Sequence, residues 1–156
     1  MMNYNIFKGC VEVKINNFDK AKIIPQLINT EWNKEMLKNM PHRNFLDLSV
    51  IYLYVFEKTE TGCKTAKITN QLAAHMGLNE QQLFKLAMEN KDTMFKNMTI
   101  SMYPMIVITN KDMLYGATKL LEPSNLIEIA NEFDSDLYIF PSSIHEIIVC
   151  PVSLLG

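Results

Sequence analysis

Apolar and polar positions change period several times along this chain of 156 residues, and each change predicts an element. Phe7, Gly9, Val11, Val13 and Ile15 alternate with Lys8, Cys10, Glu12 and Lys14, so a half-buried strand is expected there. Asn16-Asn17 predicts a turn. Residues 22–28 are ambiguous: the run is mostly apolar but contains Pro25, which breaks a helix and confines a strand to an edge. An edge strand hairpinned to the first is expected. Thr30 is placed to cap a short helix running to Lys38, with Trp32, Met36 and Leu37 facing inward.

A break at Pro41-His42-Arg43-Asn44 precedes the longest apolar stretch, residues 45–56. Its β-branched and aromatic content predicts a central strand with Leu46, Leu48, Val50, Tyr52 and Tyr54 on one face. Residues 58–62 turn and 63–69 pair back. Residues 70–76 read as a helical turn or two ended by Gly77 at the position that favours a left-handed backbone. Asn79 then caps a helix over 80–90, with Gln82 completing a capping box and Leu83, Leu86 and Ala87 as its apolar stripe. Met94, Met98 and Met102 recur every four residues, with Phe95 and Tyr103 between them. That spacing is expected either to form a core-facing stripe or to offer an adaptable contact surface. Residues 105–109 predict a short buried strand, and Asn110-Lys111-Asp112 a turn. Residues 116–121 and 124–133 predict helical segments separated by Pro123, the second with the stripe Leu126, Ile129, Ala130 and Phe133. Residues 136–151 close the pattern as a hairpin, with Pro141-Ser142-Ser143 between two apolar runs. Together these elements predict a single α+β domain: a mixed or antiparallel sheet with helices packed mainly on one face.

Composition narrows the function classes. A hydrophobic content of 48% with 21% charged residues is that of a folded chain. No apolar run reaches the ~20 residues of a membrane span, and the start MMNYNIFKG has no basic region followed by an apolar stretch. Cys10, Cys63 and Cys150 are far apart and form no C-x-x-C pair, so neither a disulfide framework nor a cysteine zinc site is expected, and a reducing cytoplasm fits. Charge is uneven: six Lys face four acids in residues 1–40, seven basic residues face six acids in 41–110, and two Lys face seven acids in 111–156. The acidic last third disfavours a nucleic-acid surface, and Arg43 as the only arginine removes the usual fork for phosphate and guanine. With three scattered histidines and no Gly-rich loop, no metal, cofactor or nucleotide is expected.

Several stretches resemble a bacterial domain-of-unknown-function family of the 5688 type. The likeness runs through Phe45-Leu46-Asp47-Leu48-Ser49-Val50 and Leu83, Ala87 and Asn90. It continues through Thr109-Asn110-Lys111, Gly116-Ala117, Leu121, Pro123, Leu126 and Ile129-Ala130. It is most specific at Asp136-Leu137-Tyr138-Ile139-Phe140-Pro141-Ser142-Ser143-Ile144-His145-Glu146. It covers residues 45–151, and 1–44 are more divergent. The resemblance implies a bacterial source and a mobile-element setting, and brings no established activity.

Ser143, His145 and Glu146 are the candidate catalytic residues, because a nucleophile, a base and an acid fall together there. Strand geometry opposes a triad. Neighbours on a strand point to opposite faces, and two residues along it span about 6.6 Å, beyond a nucleophile–base hydrogen bond. Structural roles are therefore expected. The favoured reading is a non-enzymatic protein-binding module, with Met94, Met98, Met102 and Tyr103 as partner-binding candidates. A finer version is a mobile-element inhibitor of a host or defence nuclease, met through the acidic last third. The alternatives are a small enzyme or ligand sensor built on the Ser-Ser-Ile-His-Glu turn, and a homo-oligomer pairing through the edge strand near Pro25.

Overall fold

The structure is a computed structural model and describes residues 2–7, 10–15 and 17–156. The chain is α+β and divides into two compact units, one of residues up to 25 with 29–90 and the other of 26–28 with 91–156.

In the first unit β1 (Met2–Phe7) and β2 (Cys10–Ile15) form an antiparallel two-stranded sheet. The alternating stretch is thus divided: it ends one strand at Phe7 and begins the next at Cys10, while Lys8 and Gly9 lie outside the described residues. The partner of β2 is β1, not the Pro25 segment. That segment is β3 (Ile23–Asn29), which pairs with β5 (Leu48–Thr59) at the edge of a second sheet. An edge is where a strand carrying proline belongs. β4 (Arg43–Phe45) and β6 (Gly62–Lys67) both run antiparallel to β5.

Two expectations fail in this unit for local reasons. Residues 45–56 are not one strand, because the chain reverses at Leu46-Asp47 with Leu46 at φ 57°. Leu46 therefore leaves the strand face and is 83% exposed. Trp32 does not face inward either: it is 86% exposed, while Leu37 alone of the expected trio is buried. A 3-10 turn (Glu31–Asn33) precedes α1 (Lys34–Leu37); Thr30 holds its cap position without a side-chain cap bond, and Asn29 Oδ1 accepts the Trp32 N–H at 3.0 Å. The Thr30 hydroxyl instead meets Ser49 Oγ at 2.8 Å.

The helix signals hold. α2 (Asn70–Met76) starts at Thr69, whose hydroxyl accepts the Leu72 N–H, and ends at Gly77 with φ 69°. α3 (Glu80–Met94) opens on the Asn79/Gln82 capping box, both hydrogen bonds 2.9 Å long, and runs four residues past Asn90. Leu83 and Ala87 on its stripe are fully buried.

The second unit holds a four-stranded sheet in the order β7 (Asn97–Met102), β8 (Met105–Asn110), β10 (Glu146–Pro151), β9 (Leu137–Ser143), every pair antiparallel. A 3-10 segment (Gly116–Leu121) and α4 (Ser124–Phe133) connect β8 to β9. The closing hairpin is present, but Pro141-Ser142-Ser143 lies inside β9 and the reversal falls at Ile144-His145. Ser142 is the extra residue of a bulge, since Glu146 pairs with Ser143 and Ile147 with Pro141.

Candidate functional site

The three residues of the expected triad come close in sequence but do not form one. His145 sits in the turn, and its Nδ1 accepts the Tyr115 N–H at 3.0 Å. A backbone amide only donates, so Nδ1 carries the lone pair in this arrangement. The Ser143 hydroxyl accepts the His145 backbone N–H at 3.0 Å, and the Glu146 carboxylate accepts the Ser142 hydroxyl at 2.9 Å. Ser143 and Glu146 are thus bonded within the hairpin end and His145 to the Tyr115 backbone, and the nucleophile–base–acid relay is not assembled.

What the three residues build is a corner. The Thr109 hydroxyl donates to the His145 carbonyl at 2.7 Å, and the Tyr115 ring lies 5.6 Å from the imidazole and 6.3 Å from Phe95. Tyr115 is held at φ 55°, a backbone state that costs a non-glycine residue energy and persists only when its surroundings fix it. Gly116 is required here by close approach: a Cβ would stand 2.5 Å from the His145 carbonyl oxygen and 2.8 Å from Thr109 Cα. His145→Ala leaves the Tyr115 amide without its acceptor. It is expected to cost about 1–3 kcal/mol in urea denaturation, and an unchanged midpoint would contradict the structural role.

The four partner-binding candidates divide. Met94 ends α3, half-buried. Met98 and Met102 lie on β7, where a spacing of four keeps one face because four is also even. Tyr103 is at the hairpin tip, 79% exposed. Cross-strand register then shows residues that spacing alone could not gather. Ile100 pairs with Val107, Val107 with Ile148, and Ile148 with Phe140, so one apolar row crosses all four strands. Along one side of it on this face run the pairs Met102–Met105 and Cys150–Tyr138, of which Cys150 is buried. The other face carries Ile106, Ile108, Ile147 and Val149, all buried. On the first face Met102, Met105, Tyr138 and Phe140 are 41–54% exposed, and the Tyr138 and Phe140 rings stack at 6.3 Å.

A second cluster, in the first unit, was missed at the sequence level. The Arg43 guanidinium donates twice to Glu80, Nε to Oε1 at 2.7 Å and Nη2 to Oε2 at 2.8 Å, and stands 3.6 Å over the Phe84 ring. The fully buried Tyr52 donates its hydroxyl to the same carboxylate. The Arg43 hydrogen bond foremost holds the Glu80 carboxyl below the usual range. Burial, then the bond to Glu80, pushes the Tyr52 phenol far above its ordinary value. A cleft of about 560 Å³ opens beside Arg43, Glu80 and Phe84, and a second of about 420 Å³ beside His42, Asn70 and Glu80. The only detectable signal was Arg43 itself, the sole arginine. Among the described residues no group of three or more His, Cys, Asp or Glu is placed to hold a metal ion, and no helix is long and apolar enough to cross a membrane.

Fold and surfaces together define an α+β protein with an open apolar sheet face and a closed salt-bridged cluster. The chain belongs to a family of unknown function, DUF5688, whose model matches residues 8–106 and 95–154. The match therefore takes in most of residues 1–44 as well. No curated protein and no solved structure matches it.

Proposed function

We propose that this chain is a protein-binding module that holds its partner on the open face of the β7-β8-β10-β9 sheet. The observation that carries this reading is the apolar row Ile100–Val107–Ile148–Phe140, flanked by exposed Met102, Met105 and Tyr138. Contiguous apolar surface edged by methionine and aromatic side chains is what protein interfaces use, since methionine adapts and aromatic rings anchor. The same unit carries exposed acids: Glu128 and Glu132 on α4, and Asp134 and Asp136 on the way into β9. The partner accordingly presents an apolar patch with a basic rim.

Tyr138→Asp combined with Phe140→Asp tests this. Both side chains are half exposed, so the double variant is expected to stay folded, at a cost of about 1–2 kcal/mol for the lost ring pair and the poor strand propensity of aspartate. Capture of a stoichiometric partner from a lysate is expected with the wild type and lost with the double variant. Capture that survives the double variant would move the binding surface elsewhere. The finer role of inhibitor fits the same face, with the basic rim supplied by a nucleic-acid enzyme.

A further inference from the structure

The backbone of the second sheet carries an inference separate from that face. The Lys111 N–H donates to the Lys96 carbonyl at 2.8 Å, which makes 96/111 a hydrogen-bonded pair of the β7–β8 ladder. Antiparallel pairs alternate, so Met98, Ile100 and Met102 turn their amides and carbonyls toward β8. Those of Asn97, Thr99 and Ser101 turn to the open side. The far edge is different. The Val152 N–H donates to the Asp136 carbonyl at 2.9 Å, and the same alternation turns Tyr138 and Phe140 toward β10 and Ile139 and Pro141 outward.

The two edges are thus treated unequally. On β9, Pro141 removes an outward donor and the Ser142 bulge bends the strand, which are devices that block strand addition. β7, with the sequence NMTISM, has no charge and no proline, and its register with β8 runs unbroken over six pairs. Nothing along it discourages another strand. The expected oligomer edge at Pro25 offers less, because Ile23, Ile24, Gln26, Leu27 and Ile28 of β3 are all buried.

We infer that β7 is a self-pairing edge: a second copy of this chain adds its own β7 antiparallel, about a two-fold axis through Ile100. The occupant follows from the pattern. Read backwards about Ile100, β7 matches itself: Met98 faces Met102, Ile100 faces Ile100, and Thr99 faces Ser101. Thr99 and Ser101 are the outward-pointing residues, so they exchange the backbone hydrogen bonds, with their hydroxyls opposite each other. The methionines and isoleucines fall in non-hydrogen-bonded pairs, where Cα atoms are only about 4.5 Å apart and side chains meet closely. A shift by one residue would set Met98 against Ser101 and break the match. Two copies share one eight-stranded sheet, and Pro141 on both outer edges closes the assembly at a dimer instead of a fibre. The dimer leaves Tyr138 and Phe140 open, so it stands or falls apart from the proposed function.

Sedimentation over a concentration series tests it on the full chain. The wild type is expected to move to twice its 18.0 kDa mass as concentration rises. Thr99→Pro removes an outward N–H that the β7–β8 ladder does not use, and is expected to leave a folded monomer. Two charge variants fix the register. Thr99→Lys with Ser101→Lys sets like charges opposite each other and is expected to weaken the dimer about ten-fold or more. Thr99→Lys with Ser101→Glu sets opposite charges together and is expected to keep it. A wild type that stays at 18.0 kDa throughout, or a lysine pair that dimerises as well as the wild type, overturns the inference. So does a monomer whose captured partner is lost on Thr99→Pro, because the edge would then belong to a foreign strand.

Discussion

Asp92→Asn is expected to lower stability by about 3 kcal/mol, more than Lys119→Met does, although both remove one member of the same cluster. Lys91 and Lys119 are each only 4% exposed, and between them they contact two acids. Lys91 Nζ meets Glu122 at 2.7 Å and Asp92 at 3.1 Å, and Lys119 Nζ meets Asp92 at 2.5 Å and Glu122 at 3.5 Å. The acids reach water, Asp92 at 46% exposure and Glu122 at 31%, whereas the lysine side chains are almost wholly buried. Removing an acid therefore leaves a buried cation short of a partner, whereas removing a lysine leaves carboxylates that water can still solvate. For a chain of this length such a loss corresponds to roughly 6–12 °C in melting temperature. Equal losses in the two variants would contradict the asymmetry.

The cluster also sets a pH dependence. Burial pushes the Asp92 carboxyl up, but the hydrogen bonds from Lys119 and Lys91 outweigh it and hold the group below the ordinary aspartate value. A carboxyl depressed in the folded state stabilises above its unfolded value, near 4. That contribution disappears as pH falls through the lower folded value. Asp92→Asn should therefore flatten the stability profile below about pH 4 and leave its slope near neutrality unchanged.

Glu80→Ala is expected to cost about 2–4 kcal/mol, because one carboxylate serves two partners of different kinds. Tyr52 is fully buried, and its hydroxyl would lose the acceptor it donates to. Arg43 would lose both arms of its fork, keeping only the Phe84 ring beneath it. Tyr52→Phe removes the hydroxyl together with its need for an acceptor, and is expected to cost only about 1 kcal/mol. In the double variant the two losses should fall short of their sum, since the orphaned hydroxyl is counted in the first and absent in the second. Urea denaturation of the four chains measures this coupling. Additive losses would show that the carboxylate and the phenol act independently.

Legibility followed how local each signal is. The capping box at Asn79/Gln82, the glycine at 77 and the stripe of α3 act within a few residues, and the structure contains each. The methionine spacing left the element open, because four residues return to one face in a helix and in a strand alike; Met94 ends α3, and Met98 and Met102 lie on β7. Pro141 marked a turn at the sequence level; in the fold its missing N–H faces the open edge of β9, where a strand tolerates it. The reversal fell instead on Ile144-His145, which carries no turn-forming residue and is held by the Ser143 hydroxyl and the Tyr115 amide. Leu46 at φ 57° is a similar case, a leucine where glycine or asparagine would have announced the turn. The ion clusters were invisible for another reason: Arg43 and Glu80 are 37 residues apart, and Asp92 and Lys119 are 27 apart. The open sheet face needed strand register, because Ile100, Val107, Ile148 and Phe140 share no spacing along the chain.

The central claim is that a protein partner occupies the open face of this sheet, and hydroxyl-radical footprinting of the complex tests it most directly. Methionine and aromatic side chains are the most reactive probes, and the face carries them where they are needed. Protection on binding is expected at Met102, Met105, Tyr138 and Phe140, with Trp32 at the far more exposed turn of the first unit unchanged. Protection of Trp32 and of Phe84 beside the Arg43–Glu80 cleft, with the four face residues still reactive, would contradict the account.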